Sequence, residues 1–176
     1  MADKITLLTG GARSGKSDHA ITLAGEASTG DDRAFFVATA EGLDDEMRTR
    51  IDHHRLTRPA HFQTIEEPLA LGNAIRGLEG SADIVIVDCL TLWVSNLIGA
   101  ERDDRSILAA ADQLAVSLRD ASFSTITVTD EVGGGIVPDH PVARRFRDLL
   151  GWTNQRIAAV SDRVIMMVVG CPIRIK

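Results

Sequence analysis

Eight residues near the start of the chain, GGARSGKS at 10–17, constrain its fold more than any other stretch. They fit the P-loop pattern G-x-x-x-x-G-K-[S/T], whose backbone N–H groups surround the oxygens of a phosphate chain. An apolar run at residues 4–9 precedes the motif, and alanine and leucine recur at helical spacing over residues 17–27. A strand, a glycine loop and a helix in this order predict a nucleotide-binding site.

Each part of the motif has a physical role in holding a triphosphate. Glycines let the backbone turn tightly, and the following helix directs its positive end at the anion. We expect Lys16 to place its charge on the β- and γ-phosphates and Ser17 to offer its hydroxyl to Mg²⁺. The predicted phosphate-binding residues are Gly10, Gly11, Ala12, Arg13, Ser14, Gly15, Lys16 and Ser17.

Apolar runs alternate with helical patterns along the rest of the chain, which predicts an α/β fold. Predicted strands are residues 4–9, 34–39, 62–65, 83–88, 124–129 and 164–169. Predicted helices are residues 17–27, 43–55, 68–78, 106–118 and 142–160. The alternation indicates a mostly parallel sheet with helices on both faces, as in a P-loop NTPase. With 176 residues and no visible linker, the chain is expected to form a single domain over residues 1–176.

Four predicted strands end in polar residues, namely Thr9, Thr39, Asp88, and Thr129 with Asp130. The carboxyl ends of parallel strands share one edge of the sheet, where ligands bind. Asp88 closes an apolar run, as the Walker B carboxylate does when it orients Mg²⁺. The sequence therefore predicts Ser17 and Asp88 as the residues that hold the metal.

Charge and composition argue against several classes of protein. The formal net charge is −6 and no long basic run is present, which disfavours a general nucleic-acid binder. Cys89 and Cys171 are too few for a disulfide framework, and we expect both to be buried because they lie beside apolar runs. No apolar stretch reaches membrane-spanning length and no secretory apolar region begins the chain, so we expect a cytoplasmic protein.

His53, His54, Arg55 and Arg58 form a second group of candidate reactive residues. A neutral imidazole can attack phosphorus to form a phosphohistidine-type intermediate, and neighbouring arginines stabilise phosphate charge. The same residue types are also typical of a solvated helix end. Glu66, before a predicted helix, either favours the helix N-terminus or accepts hydrogen bonds from a base or a ribose.

Two later stretches also have both a functional and a structural interpretation. The glycine-rich segment 130–138 follows a strand end, so it is either a mobile loop or a close backbone approach to a ligand. In the last predicted helix, the arginines at 144, 145 and 147 either clamp anions or face solvent. Asn154 and Gln155 either face the site or face water.

Six stretches cover nearly the whole chain in order and are far more specific together than the P-loop alone. They are TGGARSGKS (9–17), ATAEGLDDEM (38–47), HHR…RPAHFQTIEEP (53–68), DCLTLWVSNL (88–97), EVGGGIVP (131–138) and ARRFRDLLGWTNQ (143–155). Through them the sequence resembles the bifunctional adenosylcobinamide kinase/adenosylcobinamide-phosphate guanylyltransferase family of cobalamin biosynthesis.

The resemblance implies two reactions. ATP or GTP phosphorylates the aminopropanol hydroxyl of adenosylcobinamide, and GMP from GTP is then added to that phosphate, which gives adenosylcobinamide-GDP and pyrophosphate. It implies a GMP–histidine intermediate on His53, a RecA-like fold and a homotrimer that binds small molecules. The implied nucleotide contacts beyond the P-loop are Ala38, Thr39, Ala40, His54, Arg55, Leu56, Thr57, Glu66 and Asp88.

Two positions depart from the family's pattern. Asp130 stands where the family usually has asparagine, and Trp152 stands where a small or basic residue is commoner. We expect neither residue to touch the P-loop or His53, so the two departures leave open the details of corrinoid contacts more than the reaction class.

Other P-loop functions make different predictions. A kinase for another small alcohol would produce only ADP and a simple phosphate ester. A switch-type GTPase requires a guanine-specificity motif such as N-K-x-D, which the sequence lacks. The acidic balance and the small size disfavour a RecA-like nucleic-acid motor.

Overall fold

The fold is built on a mostly parallel sheet, as the sequence predicts. The computed structural model describes residues 3–27, 33–42, 45, 49 and 59–176. The strands are β1 (Ile5–Gly10), β2 (Ala34–Ala38), β3 (Gln63–Glu66), β4 (Ile84–Asp88), β5 (Ser124–Val128), β6 (Arg163–Val168) and β7 (Cys171–Arg174). They form one seven-stranded sheet in the order β3-β2-β4-β5-β1-β6-β7. All neighbours pair in parallel except β7, which is antiparallel to β6.

Helices cover both faces of this sheet, which confirms the predicted α/β architecture. The helices of the described residues are α1 (Lys16–Ala27), α2 (Leu71–Gly77), α3 (Leu90–Gly99), α4 (Asp104–Asp120) and α5 (Pro141–Val160). On one face, Ala20, Leu23 and Ala24 of α1 share an apolar core with strand residues such as Phe36 and Ile86. On the other face, α2 to α5 bury a larger core that includes the fully buried Trp93.

Most predicted elements lie within one or two residues of the observed ones. The predicted helix 68–78 is an exception, because α2 begins only at Leu71. The Glu67 carboxylate accepts hydrogen bonds from the backbone N–H groups of Leu69 (3.0 Å) and Ala70 (2.7 Å), which holds a turn ahead of the helix. The predicted helix 43–55 lies outside the described residues apart from Asp45 and Thr49, which are both helical.

Two elements were not predicted. Helix α3 carries Leu90, Trp93, Val94 and Leu97 at the i, i+3, i+4, i+7 spacing of a buried helix face, so its signal was present in the sequence. Strand β7 contains Pro172, which argues against a central strand but is tolerated at the sheet edge that β7 occupies.

The turn between β6 and β7 consists of two residues with left-handed backbone. Val169 has φ 46° and Gly170 has φ 84°, as a type I′ hairpin turn requires. Gly170 also donates its N–H to the Ser14 carbonyl at 3.1 Å, so the turn of the hairpin is bonded to the P-loop backbone.

The register brings the polar strand ends to one edge, as predicted. Ala38 of β2 is level with Asp88 of β4, which is level with Val128 of β5, which is level with Leu8 of β1. The P-loop leaves β1 two residues beyond Leu8. No helix among the described residues combines the length and the apolar character needed to cross a bilayer.

At the opposite edge, a bidentate ion pair joins the start of β2 to the start of β4. The Arg33 guanidinium donates to both oxygens of Asp83, at 3.0 and 2.9 Å, and its backbone N–H donates at 2.9 Å. These hydrogen bonds, followed by the charge of Arg33, lower the pKa of Asp83 to about 2.

We expect this pair to give an acid-dependent contribution to stability. A carboxylate whose folded pKa is lowered stabilises the fold above its unfolded pKa and loses that effect as pH falls through the folded pKa. The Asp83→Asn variant should therefore melt below the wild type at pH 5 to 7, and the gap should close between about pH 4 and pH 2. Melting curves across this range test it, and a gap that stays constant with pH would contradict it.

Candidate functional site

The P-loop backbone turns at three residues with positive φ angles, two of which are glycines. Gly10, Arg13 and Gly15 have φ values of 149°, 55° and 91°. A Cβ on Gly10 would lie 2.5 Å from the Met167 carbonyl oxygen of the neighbouring strand, so a side chain is excluded there. Left-handed residues between αR residues turn successive N–H groups inward, which creates a concavity that binds anions.

Lys16 lies at the first turn of α1 and is almost entirely buried, with a side chain 9% exposed. Its Nζ donates to the Gly11 carbonyl at 2.6 Å and forms an ion pair with Asp130 Oδ1 at 2.7 Å. The amine is therefore held inside the loop and already faces one anion. The expectation that Asp130 does not touch the P-loop is wrong, because its carboxylate pairs directly with the P-loop lysine.

Two side chains hold the backbone of Asp130 beyond the end of β5. Its N–H donates to Thr91 Oγ1 at 2.8 Å, and its carbonyl accepts from Asn154 Nδ2 at 3.1 Å. Asn154 Oδ1 in turn accepts from the Thr129 hydroxyl at 2.7 Å. Asn154 thus faces the strand edge and not water, which decides between the two interpretations of that residue.

Ser17 and Asp88 are the residues that fit a Mg²⁺ ion. The Ser17 hydroxyl donates to Asp88 Oδ2 at 3.2 Å, which brings α1 and the end of β4 together beside the loop. Mg²⁺ prefers oxygen ligands and is held by few carboxylates together with substrate phosphates. A hydroxyl and a carboxylate at this distance, next to an anion-binding loop, match that donor set.

The predicted nucleotide contacts on and after β2 and β3 lie at the same edge of the sheet. In this structure Thr39 is hydrogen-bonded to the backbone of Cys89. The Thr39 hydroxyl donates to the Cys89 carbonyl at 2.7 Å and accepts from the Cys89 N–H at 2.8 Å. Ala38 and Thr39 are buried, Ala40 is half-buried, and Glu66 is exposed at the end of β3. Their contact with nucleotide stays a prediction.

The histidine segment falls outside the described residues. His53, His54, Arg55, Leu56 and Thr57 all lie within 50–58. Their predicted roles therefore stay predictions based on the resemblance.

The two thiols differ from the expectation that both are buried. Cys89, at the start of α3, is partly buried, and burial followed by the charge of Asp88 raises its pKa to about 12. Its thiol is consequently protonated at neutral pH and inert. Cys171 is exposed, because it lies in β7, an edge strand that is exposed along its length.

Comparison with known proteins identifies the chain's relatives. Residues 6–175 match the model of the family described as cobinamide kinase / cobinamide phosphate guanyltransferase. The chain belongs to this family. It is 38% identical to the bifunctional adenosylcobalamin biosynthesis protein CobU of Escherichia coli, over 97% of this chain and 98% of that protein. It is 40% identical to the bifunctional adenosylcobalamin biosynthesis protein CobP of Pseudomonas aeruginosa, over 97% and 96% of the two chains.

Membership of the cobinamide kinase and guanyltransferase family confirms the resemblance and its enzymatic character. It removes the switch GTPase and the nucleic-acid motor as readings of the P-loop. It also agrees with the α/β P-loop NTPase-like fold that the mostly parallel seven-stranded sheet and its helices show.

The contacts of three residues of the site are not predicted by the sequence patterns. Asp130 was noted as a strand end but not as the partner of Lys16, and Thr91 was not singled out. Asn154 had two open interpretations. Their shared signal is position, since each lies next to or directly opposite a strand end, but no local pattern marks them.

Proposed function

We propose that this chain phosphorylates adenosylcobinamide with ATP or GTP and then transfers GMP from GTP onto the resulting phosphate. The observation that carries the proposal is the near-complete match to a family named for both reactions. The arrangement of Lys16, Ser17 and Asp88 around one anion-binding loop supports it.

In the kinase reaction, the acceptor hydroxyl attacks the γ-phosphorus and the bond to the β–γ bridging oxygen breaks. The nucleoside diphosphate leaves with the bonding electrons, and the hydroxyl proton is released. The P-loop N–H groups orient the phosphates, and the Lys16 amine leaves its protein partners to contact the β- and γ-oxygens. Ser17 and Asp88 would hold Mg²⁺, which would supply further neutralisation of the phosphate charge.

In the guanylyl reaction, the attack is on the α-phosphorus and needs a nucleophile outside the loop. By family resemblance we assign it to His53. The imidazole nitrogen forms a P–N bond while pyrophosphate leaves, and a phosphate oxygen of the acceptor then displaces the histidine. The two transfers attack different phosphorus atoms of two separate nucleotide molecules, which explains why a P-loop and a reactive histidine belong to the same chain.

The remaining features of the proposal rest on the resemblance and on charge. We expect a homotrimer in the cytoplasm, with nucleotides and the corrinoid as its ligands. The net charge of −6 supports the absence of a nucleic-acid partner.

Covalent labelling tests the proposal. Purified protein is incubated with [α-³²P]GTP and Mg²⁺ in the absence of corrinoid, and the protein is separated from free nucleotide. We expect acid-labile, alkali-stable label on the protein, as a phosphorus–nitrogen bond gives. A protein that binds GTP but takes no label would contradict the guanylyl half and leave a P-loop kinase.

The Lys16–Asp130 pair leads to a prediction about nucleotide affinity. The Asp130 carboxylate is paired with Lys16, whose charge a triphosphate needs. A bound triphosphate must therefore displace the Asp130 carboxylate from the lysine. Asp130→Asn removes the competing charge and keeps both backbone hydrogen bonds of that residue. We expect the Kd for GTP to fall roughly three- to tenfold, the scale of a partly buried ion pair, while the Kd for GMP changes little.

Calorimetric titration of both nucleotides measures this selectivity. Asp120→Asn is the matched control, since it removes an equal charge from an exposed residue that precedes β5 at the opposite edge. An Asp130→Asn variant that binds GTP more weakly than the wild type would show that the pair organises Lys16 and does not compete with the phosphates.

A further inference from the structure

A groove of about 380 Å³ lies between the glycine-rich segment after β5 and helix α5. We call it the α5 groove. Gly133 and Val137 line it from the loop side, and Arg147, Trp152 and Gln155 line it from the helix. Its lining falls entirely within residues 131–138 and 143–155, two of the stretches through which the sequence resembles its family.

The segment that lines the α5 groove starts beside the P-loop. Glu131 donates its backbone N–H to the Gly10 carbonyl at 3.0 Å, one residue after the carboxylate that pairs with Lys16. Two residues further on, the Gly133 carbonyl accepts from the Arg147 guanidinium at 2.6 Å. The lining residue Gly133 therefore follows the residue that contacts the P-loop by only two positions.

Both walls of the groove carry an exposed apolar side chain. Val137 on the loop is 57% exposed, its neighbour Ile136 is 98% exposed, and Trp152 on the helix is 45% exposed. Apolar side chains this exposed at a groove are typical of a surface that another molecule covers.

The helix wall of the groove is also polar, with an excess of positive charge among its lining residues. Arg144 and Arg147 face a single lining carboxylate, Asp148, and Gln155 adds an amide. Arg144 donates to the carbonyls of Pro138 (3.0 Å) and Asp139 (2.6 Å), so the arginines also hold the loop in place against α5. The polar lining residues suit a ligand that carries amide groups and a phosphate.

We propose that the α5 groove binds the corrinoid acceptor, an assignment that rests on the proposed function. Cobinamide is a flat apolar macrocycle edged by carboxamide arms, and after the first reaction it carries a phosphate. The Trp152 indole and Val137 contact the ring edge. Arg144 and Arg147 contact the arm that bears the phosphate. Because the macrocycle is larger than drug-sized ligands, the groove holds one edge and arm of it.

Gly151 offers a direct test, because it lines the groove in the middle of α5 and a Cβ there would meet no atom within 4 Å. We expect Gly151→Phe to fill the groove, because the added Cβ meets no packed atom. Gly25→Phe is the matched control, a helical glycine of α1 with equally open space around it. Cobinamide is coloured, so its binding is measured by the absorbance retained with protein on ultrafiltration.

We expect the Kd for cobinamide to rise at least about tenfold in Gly151→Phe, as when a pocket rejects its ligand sterically. Gly25→Phe should match the wild type. Covalent labelling by [α-³²P]GTP should be equal in all three proteins, which shows that the nucleotide site is intact. Trp152→Ala, which enlarges the groove, should also weaken cobinamide binding.

Other outcomes would overturn the assignment. If Gly151→Phe and Trp152→Ala bind cobinamide as the wild type does, the groove is not the acceptor site, although the proposed function stands. If the same variants instead change the sedimentation coefficient, the groove is a contact between copies of the chain. A wild type that binds no cobinamide at all contradicts the proposed function itself.

Discussion

Replacing Lys16 by alanine is expected to lower the kinase rate by roughly 10²–10³-fold, the cost of removing one preorganised group that stabilises the transition state. The amine is the buried cation of the loop, and it lies 2.6 Å from the Gly11 carbonyl that shapes the phosphate cavity. No water molecule can supply a fixed charge at the same point. The rate is measured as labelled cobinamide phosphate formed from [γ-³²P]ATP.

The control for this prediction is Lys4→Ala, which removes the same side chain from the opposite end of β1. Its kinase rate should equal that of the wild type. Since Lys16→Ala also leaves Asp130 without its partner, a melting curve must show that the variant is folded. A folded Lys16→Ala variant with the full kinase rate would refute the role of the P-loop lysine.

His53→Asn is expected to abolish the covalent GMP label and to lower GMP transfer by at least roughly 10⁴-fold, as loss of a catalytic nucleophile does. The kinase rate should survive, because phosphoryl transfer at the γ-phosphorus requires no covalent intermediate on the protein. The two activities are assayed separately, with cobinamide and with cobinamide phosphate as acceptors.

Two other histidines make this test specific. His54→Asn should still take the label, since the assignment concerns the first histidine of the pair. His61→Asn is the neutral control, because His61 is an exposed residue whose recorded ring contact is with the adjacent Phe62. Label that persists in His53→Asn but disappears in His54→Asn would move the nucleophile by one residue.

The parts of the site that the sequence predicted are the local ones. The P-loop was recognisable because the glycines, Lys16 and Ser17 are contiguous and lie between a strand and a helix. Asp88 was recognisable because it ends a buried strand, and parallel strands bring such ends together. The ion pair of Lys16 with Asp130 was not predicted, since it depends on β5 lying next to β1 in the sheet order.

The missed elements have equally physical causes. Helix α3 follows Asp88 directly, so its apolar residues extended a run already assigned to a strand end. Strand β7 is short, contains Pro172 and is exposed along its length, so neither alternation nor hydrophobicity marked it. The α5 groove needed both the loop and the helix in place, because each contributes only one wall.

The most direct test of the central claim, that one chain performs both transfers, is to follow two labels in parallel reactions. Wild-type protein, cobinamide and Mg²⁺ are incubated with [γ-³²P]GTP in one reaction and [α-³²P]GTP in the other, and the corrinoid products are separated by chromatography. We predict γ-label in cobinamide phosphate and in the cobinamide-GDP made from it, and α-label in cobinamide-GDP alone. Formation of the γ-labelled ester with no α-label in any corrinoid product would contradict the claim and leave a kinase alone.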